Sequence, residues 1–129
     1  MRLASCIAAA LVLCAASPAL ASSTIACRST ISPADGPELW LSVGSGEAGG
    51  ITGASLTLGR ETLTAGQGPN APVISQAWID RYTLRLDLVD ANAESRLVRL
   101  DARRRRGSDY LGTLVHAGRT WRVRCEEEG

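Results

Sequence analysis

The 129-residue chain contains no lysine and no phenylalanine, and it has a single histidine. One histidine cannot supply a multi-histidine metal site, and it leaves few partners for a nucleophile–base pair, so metal-dependent and triad-based catalysis are disfavoured. The formal charge of +1 disfavours a general nucleic-acid or membrane-surface binder, which is usually strongly basic. The sequence therefore predicts no enzyme, no metal site, no cofactor and no nucleic-acid partner.

The first 21 residues have the composition of a cleaved signal peptide. Arg2 is followed by an uncharged run to Leu20, and Ala19-Leu20-Ala21 matches the small-x-small pattern of a signal-peptidase site. The strongly apolar part of this run is roughly ten residues long, against about 20 for a helix that spans a bilayer. We therefore expect a signal peptide over 1–21 and a single mature domain over 22–129, periplasmic or secreted, monomeric, and without a lipid anchor.

Cleavage changes both the charge and the cysteine content of the chain. The mature chain would have 13 arginines and 13 acidic residues, and hence no net charge. Cys6 and Cys14 would leave with the signal peptide, so that Cys27 and Cys125 remain near the two ends. Two cysteines in an oxidising compartment predict one disulfide, Cys27–Cys125.

Alternating hydrophobicity predicts strands through most of the mature chain. The clearest segment is Tyr82–Val89, where three leucines alternate with Arg85 and Asp87. Similar segments are Thr24–Ser29, Glu38–Val43, Ile51–Leu58, Val73–Ile79, Arg96–Arg103, Tyr110–Val115 and Thr120–Cys125. About eight short strands predict an all-β antiparallel barrel or, alternatively, a β-sandwich. In either fold the disulfide would join the first and last strands.

One segment of the chain fits two secondary structures, and one loop is marked by its turn residues. Residues 90–106 also fit a helix, because Asp90 is a suitable cap and the segment is rich in good helix formers. We prefer strand over Arg96–Arg103, because the alternation continues on both sides. Further on, His116-Ala117-Gly118-Arg119 predicts a hairpin loop, with Gly118 at positive φ and His116 exposed to solvent.

The most unusual local feature is a run of four arginines, Arg103, Arg104, Arg105 and Arg106. Four adjacent guanidinium groups repel one another unless anions compensate them, so the run is a candidate contact for an anionic envelope partner or a protein. Asp101, Asp109 and Glu126–Glu128 offer the alternative of partial neutralisation within the chain. The irregular loops Gly44–Gly50 and Ala65–Pro72 are further candidate recognition elements. A stacking platform formed by Trp40, Trp78 and Trp121 is another.

The plan of the chain resembles that of small bacterial envelope β-proteins of uncharacterised type. The resemblance consists of a signal peptide, a cysteine in the first strand, Tyr110-x-Gly112 and Trp121-Arg-Val-Arg-Cys125. In architecture the chain is also similar to the membrane-bound inhibitors of c-type lysozyme, which are small secreted or lipidated β-barrels. The Ser- and Arg-bearing loop motif of that family is absent, because Gly44-Ser45-Gly46 is followed by Glu47-Ala48 rather than by Arg-Tyr. The resemblance implies an inhibitor-like protein binder and transfers no functional residues.

Two function classes follow. The first is a small periplasmic or secreted binding module that uses its loops or its arginine run. The alternative is a structural accessory protein of the cell envelope without a discrete active site.

Overall fold

The computed structural model describes residues 22–45 and 49–128. The predicted signal peptide with Cys6 and Cys14, residues 46–48 of the first glycine-rich loop, and Gly129 lie outside this part of the chain. The nine strands are β1 (Ser23–Ser29), β2 (Glu38–Gly44), β3 (Gly50–Leu58), β4 (Glu61–Thr64), β5 (Val73–Ile79), β6 (Thr83–Val89), β7 (Arg96–Arg103), β8 (Tyr110–His116) and β9 (Arg119–Glu128). Across the described ranges no helix is long and apolar enough to cross a membrane.

All nine strands belong to one antiparallel sheet, in the order β4-β3-β2-β1-β9-β8-β7-β6-β5. The sheet curls into a half-barrel, and β5 also approaches β3 from the far end of the order. Because successive side chains of a strand point to opposite faces, the alternating leucines of β6 turn inward and the charged residues between them turn outward. The largest fully buried side chains are Leu39, Leu41, Leu56, Leu84, Leu86, Leu88, Leu100 and Leu114.

The first and last strands are neighbours at the centre of the sheet, and the predicted disulfide joins them. Cys27 of β1 lies directly opposite Cys125 of β9, both residues are fully buried, and their sulfurs are bonded. The predicted all-β fold with disulfide-linked first and last strands is therefore confirmed. The strands form one curled sheet rather than the two packed sheets of the sandwich alternative.

The ambiguous stretch is strand, and the helical alternative for residues 90–106 is wrong. Arg96–Arg103 pairs with both β6 and β8. Before it, the Asp90 carboxylate accepts a hydrogen bond from the Glu94 backbone N–H at 2.7 Å, and Ala93 has a φ of 57°. Asp90 therefore caps a turn and not a helix. The sequence reading missed β4, because its four residues are too few to show a period.

The expectation that His116 is exposed is wrong, although the hairpin itself is confirmed. Ala117 and Gly118 both have positive φ, 50° and 73°, as a two-residue hairpin turn requires. His116 is the last residue of β8 and is only 6% exposed. Its Nδ1 lies 2.7 Å from the Leu97 carbonyl oxygen, and its Nε2 lies 3.5 Å from Glu61 Oε1. The histidine thus links β8 to β7 and to β4.

Candidate functional site

The four arginines lie at the end of β7 and in the loop that follows it. Arg103 is the last residue of β7 and is paired with Thr83 of β6. The Arg104 backbone N–H donates to the Tyr82 carbonyl oxygen at 2.8 Å, which attaches the loop to the β5–β6 turn. This turn carries Arg81, so five arginines meet at one corner of the sheet. We refer to Arg81 and Arg103–Arg106 as the arginine corner.

Three of the carboxylates expected to neutralise this run pair with other arginines. The ion pairs they form are Asp101–Arg85 at 3.5 Å, Asp109–Arg124 at 3.6 Å and Glu128–Arg28 at 2.8 Å. Within the described residues, no guanidinium of the arginine corner has a carboxylate oxygen within 4.0 Å. The fold therefore provides no direct ion pair to the arginine corner, although the Asp80 carboxylate lies in the same turn as Arg81.

Arg104 packs against an aromatic ring instead of pairing with an acid. Its guanidinium carbon lies 4.3 Å from the centroid of the Tyr110 ring, and its buried Nε has no hydrogen-bond acceptor within the described structure. The Tyr110 hydroxyl donates to the Asp80 carbonyl oxygen at 2.6 Å. Burial raises the pKa of Tyr110 above its ordinary value, and the neighbouring Arg104 charge opposes that shift. Cation–π contact holds Arg104 in place without cancelling its charge.

Asp80 organises the β5–β6 turn, which carries Arg81. Its carboxylate accepts hydrogen bonds from Trp78 Nε1 at 2.8 Å and from the backbone N–H groups of Tyr82 and Thr83 at 2.8 and 2.7 Å. These bonds, that of Trp78 foremost, hold the pKa of Asp80 below its ordinary value. The result is an exposed Trp78 whose indole orientation is set by the turn, beside an equally exposed Tyr82.

Trp78 lies on the same face of the sheet as part of the arginine corner. Trp78 is directly paired with Arg85 on β6, and Thr83, two residues before Arg85, is paired with Arg103 on β7. Directly paired residues in antiparallel strands share a face, as do residues two apart on one strand. Trp78, Arg85, Thr83 and Arg103 are therefore neighbours on the outer face.

An open groove of about 630 Å³ lies at this edge of the sheet. It is lined by Ser75, Gln76, Ala77, Trp78, Thr83 and Arg85. Its chemistry is mixed, because an exposed indole is surrounded by hydroxyl, amide and guanidinium groups. Sequence reasoning named Trp78 only as part of a platform with Trp40 and Trp121. It missed Asp80 and Tyr82 as site residues, although an aspartate directly after a strand is a recognised turn pattern.

The other two tryptophans considered from the sequence do not join this corner. Trp121 is half-buried on the core side of β9, whereas Trp40 shares the outer face of β2 with Glu38, so the three tryptophans do not form one platform. The loop Ala65–Pro72 is the irregular connection between β4 and β5. Within the described ranges, no group of three or more His, Cys, Asp or Glu residues is placed to hold a metal ion.

Comparison with protein-family models, with curated proteins and with solved structures finds no match for this chain. The geometry of the corner is therefore the basis for assigning a function. It brings five arginines without close carboxylate partners, and the exposed Tyr82, onto a turn and a loop that are hydrogen-bonded to each other, beside the exposed Trp78 at the end of β5.

Proposed function

We propose that this protein is a small periplasmic or secreted binding module that contacts an anionic partner through Arg103–Arg106. The observation that carries the proposal is the absence of any carboxylate within 4.0 Å of these four guanidinium groups among the described residues. Four other arginines, Arg28, Arg85, Arg99 and Arg124, do have carboxylate oxygens within 4.0 Å. Among the described arginines without such a partner, Arg103–Arg106 are the ones that follow one another directly in the chain. Because guanidinium groups form charge-assisted hydrogen bonds with carboxylates and phosphates, an unpaired cluster is suited to an external anion.

The proposed location is supported by the disulfide and by the composition of residues 1–21. A buried disulfide between Cys27 and Cys125 is typical of proteins that fold in an oxidising compartment. The stretch before residue 22 has the basic start, apolar core and small-residue end of a signal peptide. Both point to the periplasm or the extracellular space.

Retention on heparin, used here as a generic polyanion, tests the contact. The test variant is R103Q/R105Q/R106Q, in which Arg104 is kept because its side chain packs on Tyr110. The matched control is R60Q/R96Q/R119Q, which removes the same charge from three exposed residues outside the corner.

We expect the corner variant to bind heparin more weakly than the control. We also expect its slope of log affinity against log salt to be smaller by about 2 to 3, since each neutralised anion releases a counterion. Equal retention of the two variants would overturn the proposal. That result would favour the alternative of an envelope accessory protein without a discrete site.

A further inference from the structure

We propose that the anionic partner is an acidic polysaccharide, which binds across the outer face from Trp78 to Arg103. This inference rests on the proposed function, because it assigns the charge recognition to the same arginine corner. It adds an aromatic subsite, the groove at β5 and β6 with Trp78 in its wall. The subsite is joined to the arginines by successive neighbours on the outer face, from Trp78 through Arg85 and Thr83 to Arg103.

The aromatic subsite has the properties that a sugar ring requires. Trp78 is 60% exposed, and the hydrogen bond from its Nε1 to the Asp80 carboxylate fixes the orientation of the indole through its edge rather than through a face. The face of an aromatic ring carries partial negative charge and attracts the polarised C–H groups of a pyranose. Hydrogen-bonding groups for the hydroxyls of the sugar are offered by Ser75, Gln76 and Thr83, which line the same groove as the indole. A rigid ring loses little entropy on binding, which favours the bound state.

The spacing between the two parts fits a chain ligand better than a single small anion. Trp78 lies on β5 and Arg103 lies two strands away on β7, and their pairing partners on β6 are two residues apart. With the usual spacings between strands and along a strand, the two residues are separated by roughly 12 Å across the sheet. A single phosphate or carboxylate would touch only one of the two parts. A polymer of sugar rings with anionic groups would place a ring on the indole and a carboxylate or sulfate on the arginines.

The loop tips of the corner argue against insertion into a membrane. A membrane-inserting tip presents apolar side chains, whereas the tip of the β7–β8 loop is Arg105-Arg106-Gly107-Ser108 and is exposed throughout. The β5–β6 turn adds Tyr82, but its neighbour is the charged Arg81, whose guanidinium lies 5.4 Å from the Tyr82 ring centroid. Anionic vesicles therefore serve as a competing probe and not as the expected partner.

The test compares four probes at one ionic strength: polygalacturonate, inorganic polyphosphate, polyglutamate, and vesicles of phosphatidylcholine with phosphatidylglycerol. The disulfide-bonded protein is titrated with each probe by calorimetry. The aromatic variants are W78A and Y82A. The control is I31A, which removes a smaller but also exposed apolar side chain from the β1–β2 connection, outside the groove.

We expect polygalacturonate to bind most tightly, and W78A to weaken that binding by about tenfold, the factor that an aromatic contact typically provides. Binding of polyphosphate to W78A should stay within about twofold of wild type, because the charges are untouched. I31A should bind both polyanions as the wild type does. Circular dichroism of each variant confirms that the fold is retained.

The outcomes separate this inference from the proposed function. If R103Q/R105Q/R106Q loses affinity for polygalacturonate while W78A and Y82A behave like I31A, the polysaccharide inference is overturned and the anion contact stands. Tighter binding of vesicles or of polyglutamate would also overturn the inference, in favour of those partners. If the corner variant matches R60Q/R96Q/R119Q with every probe, both proposals are overturned.

Discussion

Breaking the Cys27–Cys125 bond is expected to remove a large part of the stability of this domain. The two cysteines are separated by 98 residues. In the chain-entropy model, a cross-link that closes a loop of this length adds about 4–5 kcal/mol to the free energy of unfolding, because it restricts the unfolded chain. Since domains of this size are stable by about 5–15 kcal/mol, the bond decides whether the fold has any margin.

The assay compares the oxidised protein with the same protein reduced in urea and refolded under a phosphine reductant. Reduction keeps both sulfur atoms in the core, so it isolates the cross-link from any loss of packing. For a domain of roughly 100 residues, each kcal/mol shifts Tm by about 4 °C, and we expect a fall in Tm of about 20 °C. The dependence of unfolding on urea should become steeper, because the unfolded chain without its cross-link exposes more surface.

The double variant C27A/C125A provides the second measurement. It removes two fully buried sulfurs and should be less stable than the reduced wild-type protein, since it adds a cavity to the lost cross-link. A fall in Tm below about 5 °C on reduction, with an unchanged urea dependence, would refute the reasoning. Closure of the chain between its first and last strands would then not be what stabilises the fold.

Three further predictions concern packing and titration. Gly112→Ala should lower the free energy of unfolding, measured in urea, by about 3 kcal/mol or more. The reason is that a Cβ at Gly112 would overlap the Asp101 carbonyl oxygen and lie 2.5 Å from the Ala102 Cα. A variant as stable as the wild type would contradict this close approach. Tyr110→Phe should cost about 1 kcal/mol through the lost bond to the Asp80 carbonyl. The raised pKa of Tyr110 predicts a contribution to stability that is present below pH 10.0 and is lost as pH rises through the folded pKa. In an alkaline titration followed by tyrosine absorbance, the wild type should show a tyrosine that ionises above the ordinary pKa, and Tyr110→Phe should lack it. The lowered pKa of Asp80 predicts a contribution to stability that is present above pH 3.8 and is lost as pH falls through the folded pKa. The urea midpoint of Asp80→Asn should therefore fall less at acidic pH than the midpoint of the wild type. An identical dependence of the two midpoints on pH would contradict this prediction.

Local patterns in the sequence were sufficient for most of the fold. Alternation over Tyr82–Val89 predicts that the three leucines of β6 are buried, because the side-chain period of a strand is two residues regardless of its partners. It does not predict the burial of Asp87 on the other face, where the side chain pairs with Arg99 of β7. Gly118 predicts a turn for a similar reason, since glycine adopts positive φ without strain, whereas the positive φ of Ala117 is not indicated by its residue type. His116 shows the limit of such reasoning. Its burial depends on Leu97 and Glu61, which belong to other strands and are distant in the chain.

For the candidate site as well, some features follow from the sequence and others only from the tertiary structure. The sequence alone determined that Arg103–Arg106 form a charged run and that Cys27 and Cys125 lie in the first and last strands, because composition and spacing are properties of the chain itself. Only the tertiary structure decided that Asp101 and Asp109 pair with other arginines. It also decided which residues share a surface with the run. Strand pairing depends on register between distant segments, and register places Trp78 and the Asp80 turn beside the arginines.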